Sequence, residues 1–258
     1  MLCSAKGLDG FTLSARDGEI GHARELYFDD ARWVVRHIVA DTGGWLSGRQ
    51  VLISPYAIEA VDLDKKALAV RLTQEQVKDA PGIDTDKPVS RQHETSYYDY
   101  YGYPYYWSGA GLWGVDAFPL AGESLVVPPI RDSRLPTDVA RELDAAEQEP
   151  GDTHLRSSAE VTGYHIEATD GAIGHIHDFL FDDKSWQIQY VVIDTRNWLP
   201  GRLVLLSPRF LTGIDWSERR ADVRVTREAV KASPPYDAAQ PLTPATEDAV
   251  QKHYDGWL

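Results

Sequence analysis

Asp17-Gly18-Glu19-Ile20-Gly21-His22 and Asp170-Gly171-Ala172-Ile173-Gly174-His175 are one phrase written twice, 153 residues apart. The same offset lays Phe28-Asp29-Asp30 over Phe181-Asp182-Asp183 and Trp33 over Trp186. It continues through Asp41-Thr42, Trp45-Leu46, Gly48-Arg49, Val51-Leu52 and Ser54-Pro55. These meet Asp194-Thr195, Trp198-Leu199, Gly201-Arg202, Val204-Leu205 and Ser207-Pro208. Roughly twenty of the 45 positions from Phe11 to Pro55 are identical without a gap, and the match fades toward Pro81 and Pro234. Self-similarity at one fixed offset marks a tandem duplication, and this offset is far longer than the roughly 20–50 residues of a solenoid unit. Each copy is therefore expected to be a domain with its own core.

The second copy shows the local pattern more cleanly. Tyr164 to Ala168 is a short run closed by Asp170-Gly171, a hairpin signal. Ile173 to Phe181 alternates, with Ile173, His175, His177 and Phe179 on one face. Trp186 to Ile193 is rich in β-branched and aromatic residues, as a half-buried strand should be. Short strands follow at Arg202 to Leu206, Phe210 to Asp215 and Ala221 to Val225, with a loop over Asn197 to Gly201. Arg227 to Ala232 reads as a closing helical turn. Six short strands at this spacing predict a small closed or partly open barrel, because closure removes unpaired edges. Gly21 and Gly174 fall inside strands, where glycine is expected to permit a bulge or a barrel corner.

These residues resemble a known family. Asp170-Gly171-x-Ile173-Gly174-x-Ile176-x-Asp178, Phe181-Asp182-Asp183, Tyr190 to Thr195, and Trp198-Leu199-Pro200-Gly201-Arg202-x-Val204-Leu205-x-Ser207-Pro208 look like a PRC-barrel domain. The first copy departs only slightly, with Ala23 for Ile176, Glu25 for Asp178 and Ser47 for Pro200. The family includes the barrel of the photosynthetic reaction-centre H subunit and that of ribosome-maturation factors. The resemblance implies a six-stranded barrel used mainly for assembly, with no shared catalytic residues. The fold expected is thus mainly β: two small six-stranded barrels related by a pseudo-twofold duplication, over 1–83 and 160–236. A linking segment over 84–159 and a C-terminal helix and tail over 237–258 complete the division.

The linking segment holds Tyr97-Tyr98-Asp99-Tyr100-Tyr101-Gly102-Tyr103-Pro104-Tyr105-Tyr106-Trp107, with no Lys or Arg inside the run. Stacking on single-stranded nucleic acid needs basic neighbours to hold the phosphates. The net charge of −14 also repels phosphate backbones and anionic headgroups. Nucleic acid is therefore not an expected partner. Three readings of Tyr97, Tyr98, Tyr100, Tyr101, Tyr103, Tyr105, Tyr106 and Trp107 remain: an aromatic surface for a protein partner, a loop folded back over the barrels, or a disordered segment. Gly109-Ala110-Gly111-Leu112-Trp113-Gly114 spells G-x-G-x-x-G but follows a tyrosine-proline stretch, not a strand, so a dinucleotide site is rejected. A capped helix is expected from Pro136 to Gln148, and another from Thr243-Pro244 to about Tyr254.

Candidate chemistry is sparse. His175 and His177 lie two apart on a strand, with His165 on its neighbour, so three imidazoles are weak candidates for a metal. The first copy has His22 and Arg24 at the paired positions, so this is not a repeated site. Asp29-Asp30 and Asp182-Asp183 are most simply turn formers. Arg49 and Arg202 follow a loop glycine in both copies and mark either a repeated anion or partner contact, or pairing with Asp41 or Asp194 or packing on Trp45 or Trp198. No nucleophile elbow, phosphate loop or zinc-protease string is present. The lone Cys3 suits a reducing cytoplasm, and no run approaches the ~20 apolar residues of a membrane helix. The expected function is a cytoplasmic, non-enzymatic assembly or adaptor protein without cofactor, with a protein partner and homo-oligomerisation open. The alternative is a small-ligand or metal-binding module using the aromatic run and the His175/His177 strand.

Overall fold

The computed structural model describes residues 1–46, 48–81, 89, 91–120, 155–195, 202–240 and 242–256. The chain forms two compact units. The first comprises Leu8–Arg156 with Lys184–Trp186; the second comprises Met1–Gly7, Ser157–Asp183 and Gln187–Leu258.

The strands of the first unit are β2 (Thr12–Ala15), β3 (Gly18–Asp29), β4 (Val34–Asp41), β5 (Gln50–Ile53), β6 (Ile58–Asp62) and β7 (Ala67–Val70). Their order is β5-β4-β3-β2-β7-β6. In the second unit, β9 (His165–Ala168), β10 (Gly171–Asp182), β11 (Ile188–Asp194), β12 (Leu203–Leu206), β13 (Leu211–Asp215), β14 (Arg220–Val223) and β15 (Pro235–Tyr236) run in the order β13-β14-β9-β10-β11-β12-β15. The strands expected in the second half are all present, each within two residues of its expected ends; β11 lacks Trp186 and Gln187 and gains Asp194.

The pairing register recurs at the sequence offset. His22 opposes Asp41 and Ala23 opposes Ala40 in the first sheet, as His175 opposes Asp194 and Ile176 opposes Ile193 in the second. Both long strands slip by one residue in the same place, between Ala23 and Glu25 and between Ile176 and Asp178. A bulge lets the strand bend and re-aims its side chains. It also breaks the strict alternation expected along Ile173 to Phe181. Gly21 and Gly174 have a steric cause: a Cβ there would stand 2.1 Å from Asp41 O and 2.0 Å from Asp194 O. Only glycine permits that approach.

Two further strands trade places. β1 (Leu2–Ser4) pairs with β10, and β8 (Leu155–Ser157) pairs with β3. These short strands are themselves 153 residues apart, so each unit is completed by a strand from the opposite half of the chain.

The chain is mainly β, and neither sheet closes into a barrel among the described residues. Closure at β5 is opposed locally. Ser54-Pro55 turns the chain into a 3-10 turn, and proline offers no N–H to a ladder. The helices are α1 (Gln74–Lys78), α2 (Arg91–Tyr101), α3 (Ser158–Val161), α4 (Arg227–Ala232) and α5 (Pro244–Asp255). α5 agrees with the expected C-terminal helix and is capped by the Thr243 hydroxyl. The helix expected over 136–148 and the loop expected over 197–201, including Trp198, lie outside the described residues.

Candidate functional site

The aromatic run begins as a helix. Glu94, Tyr97, Tyr98 and Tyr101 recur at i, i+3, i+4 and i+7, the stripe of an amphipathic helix. Glu94, Tyr97 and Tyr98 are buried against the first sheet. The Tyr97 hydroxyl accepts from Ser54 N at 3.0 Å and donates to Leu52 O at 3.1 Å, so it satisfies backbone groups at β5, the end strand. Tyr100 donates to Gln76 O at 2.9 Å, tying α2 to α1.

Beneath the helix lies a charged core. Arg36 and Glu94 are both 0% exposed. The Arg36 guanidinium donates to Asp29 Oδ2 at 3.1 Å and to Leu112 O at 2.6 Å. It also lies 3.7 Å from the Tyr106 ring centroid and 4.8 Å from that of Trp113. Glu94 takes the Tyr106 hydroxyl at 2.9 Å, with Arg91 at 3.3 Å and His37 Nε2 at 3.4 Å. Buried charge is tolerated only when paired and hydrogen-bonded, and here each group is. Burial pushes the phenols of Tyr97, Tyr98 and Tyr106 well above their ordinary range, and the Glu94 charge adds to this at Tyr98 and Tyr106. These phenols are therefore neutral at neutral pH, and the cluster ties the insert to the first sheet.

The glycine string after the tyrosines is a tight hairpin, with bridges Gly111 to Gly114 and Trp113 to Asp116. A Cβ on Gly109 would meet Gly114 O at 2.4 Å, and one on Gly111 would meet Asp116 O at 2.5 Å. Arg32 donates to the carbonyls of Tyr106, Gly109 and Gly111 at 3.2, 3.1 and 2.9 Å. The glycines therefore serve close backbone packing. Beyond the clamp, Val115, Phe118 and Leu120 are 86%, 44% and 64% exposed.

No protein-family model and no curated protein matches the chain.

The other expected positions fall in distinct places. Tyr97, Tyr98 and Tyr106 are buried, whereas Tyr100, Tyr101, Tyr103, Tyr105 and Trp107 are half-buried. Trp107 stacks on Tyr105 at 4.8 Å and lies 4.2 Å from the Arg91 guanidinium. Arg49 donates to the carbonyls of Lys78 and Ala80 at 3.0 and 2.5 Å, and Arg202 donates to those of Lys231 and Ser233. Both arginines thus staple the end of the short helix behind their own sheet, where carbonyls lack helical partners. The rings of His165 and His175 lie 4.5 Å apart. Among the described residues no three His, Cys, Asp or Glu side chains gather to hold a metal. Asp29 Oδ1 accepts from the backbone N–H of Ala31 and Arg32 at 3.0 and 3.1 Å, the turn role expected of it.

Three features escaped the sequence reading. One is an open cleft of about 610 Å³ in the first unit, whose walls include Glu19, His22, Arg24, Asp41, Trp45 and Gln74. Another is the Arg36–Glu94 core, signalled by a charged Arg36-His37 pair inside the apolar run Val34 to Val39. The third is the reach of the repeat. α2 and α5 also lie 153 residues apart, with Glu94 over Glu247 and Tyr101 over Tyr254.

Proposed function

We propose that this protein is a non-enzymatic assembly module of the PRC-barrel type. In this reading each sheet is an opened six-stranded barrel, and the two descend from one duplicated domain. The observation that carries it is the arginine-clamped hairpin, which leaves Val115, Phe118 and Leu120 exposed within six residues. Exposed apolar side chains close together in sequence, beside anchored aromatics, are what a protein partner covers. The recurrence of register, bulge and helix staple in both halves supports the family reading. The fully buried Cys3, whose thiol burial pushes up to about 11, suits a reducing cytoplasm. Among the described residues no helix is long and apolar enough to cross a membrane.

The test is affinity capture from lysate with the full chain and with the triple variant Val115→Asp, Phe118→Asp, Leu120→Asp. A defined partner held by the parent and lost by the folded variant is the expected result. Identical captures by both baits would remove the segment from the argument. A small-ligand reading is favoured by the cleft beside Trp45, which is 39% exposed. A ligand that protects Trp45 from oxidation would favour that alternative.

A further inference from the structure

The second unit has a cavity of about 160 Å³ between its sheet and α5, with Tyr190, Ser207, Arg209, Phe210, Gln251 and Tyr254 among its walls. At the repeat offset these are the positions of His37, Ser54, Tyr56, Ala57, Tyr98 and Tyr101 in the first unit. There the same place is filled. The Tyr98 ring, fully buried, stands 5.9 Å from His37, 6.2 Å from Tyr56, 6.0 Å from Tyr103 and 5.8 Å from Tyr106. Tyr56 is in turn 1% exposed beneath Tyr103 and Trp113, at 5.2 and 5.1 Å. In the second unit the helix position of Tyr98 is Gln251, exposed, and Arg209 at the position of Tyr56 has a side chain 39% exposed.

We propose that this cavity receives a tyrosine side chain from a partner polypeptide, as the first unit packs Tyr103, Tyr106 and Trp113 of its own insert against Tyr56 and Tyr98. The size fits, since a cavity of about 150 Å³ holds one benzene ring. So does the lining. Tyr190, Phe210 and Tyr254 offer ring faces, with Phe210 and Tyr254 already 5.2 Å apart. Ser207 and Gln251 supply partners for a phenol hydroxyl. The Arg209 guanidinium lies 4.8 Å from the Phe210 ring centroid and reaches Asp255 at 2.9 Å. Its remaining donors suit peptide carbonyls, the use that Arg32 and Arg36 make of theirs on the hairpin. That precedent assigns the ring to a polypeptide and not to a free metabolite. This site lies in the other unit from the exposed Val115–Leu120 segment and stands or falls separately from it.

The experiment titrates the full chain with a synthetic peptide of residues 102–113 and, separately, with p-cresol, the tyrosine side chain alone. Saturable one-to-one peptide binding that perturbs Tyr190 and Phe210 resonances is expected. Gln251→Tyr, which fills the cavity from within as Tyr98 does, should weaken the peptide at least about tenfold without lowering the melting temperature. Lys252→Ala, exposed on the same helix and outside the cavity wall, should leave binding intact. No saturable binding, or equal binding to Gln251→Tyr, would overturn the proposal. Binding of p-cresol without the peptide would make the cavity a small-molecule site instead. A concentration-dependent dimer of the free chain that Gln251→Tyr abolishes would assign it to a second copy. Either result also overturns the partner assignment.

Discussion

Arg36 sits in the middle of an apolar strand with its charge fully removed from water. Its position is tolerable because Asp29 neutralises it, Leu112 O accepts from it, and Tyr106 gives it a ring face. Removing one member of a buried pair leaves the other charge uncompensated, at a cost of about 3–5 kcal/mol. Arg36→Met should therefore lower the urea unfolding free energy by that amount, and Arg36→Lys by less, since lysine keeps the charge but not the planar fork. A loss below about 1 kcal/mol for Arg36→Met would mean that the two backbone N–H groups on Asp29 suffice to hold it. Gly21 and Gly174 could be read as bulge positions because they break a strand pattern in both copies. The partner that forces each glycine, a carbonyl of Asp41 or Asp194, belongs to the neighbouring strand and is visible only in the folded chain.

At the scale of elements, one hydroxyl of α2, that of Tyr97, ties the helix to the end strand of the sheet: it both accepts from Ser54 N and donates to Leu52 O. Tyr97→Phe keeps the ring and its burial but leaves one buried donor and one buried acceptor unsatisfied. Such groups cost about 1–3 kcal/mol. The variant should lose stability in that range, and the Ser54 amide should exchange with solvent faster than in the parent. Unchanged protection at Ser54 would show that some other group holds that edge. The strands of the second half were readable because turn residues bracket each apolar run. α2 was not, because seven tyrosines in eleven positions hide a period: buried Tyr97 and Tyr98 look the same as half-buried Tyr100. Comparison with α5 restores the contrast at Tyr97 alone, where Val250 stands; the positions of Tyr98 and Tyr100 read Gln251 and His253, both polar.

Across the whole molecule, the internal repeat was plain in the sequence, but its limits were not. Three-residue strands at Leu2–Ser4 and Leu155–Ser157 carry too little pattern to be read, although they keep the offset, and their exchange between the halves is set by pairing to β10 and β3. The tyrosines then give the folded molecule a collective pH response. Burial raises Tyr56 from 10.0 to about 12 and Tyr254 likewise to about 12, and it pushes Tyr97, Tyr98 and Tyr106 well above 10.0 as well. A phenol whose folded pKa exceeds its unfolded value stays protonated more readily in the folded chain. Its contribution to stability is therefore complete below 10.0 and is lost as pH climbs through 12. Tyrosinate absorbance followed against circular dichroism should show little ionisation near 10, then a steep rise that coincides with loss of β structure. The same loss should be absent at pH 7, where every phenol is neutral in both states. If most tyrosines ionised near 10 with the dichroism unchanged, the aromatic cluster would have to be open to water, and α2 could not be the buried cover of the first sheet.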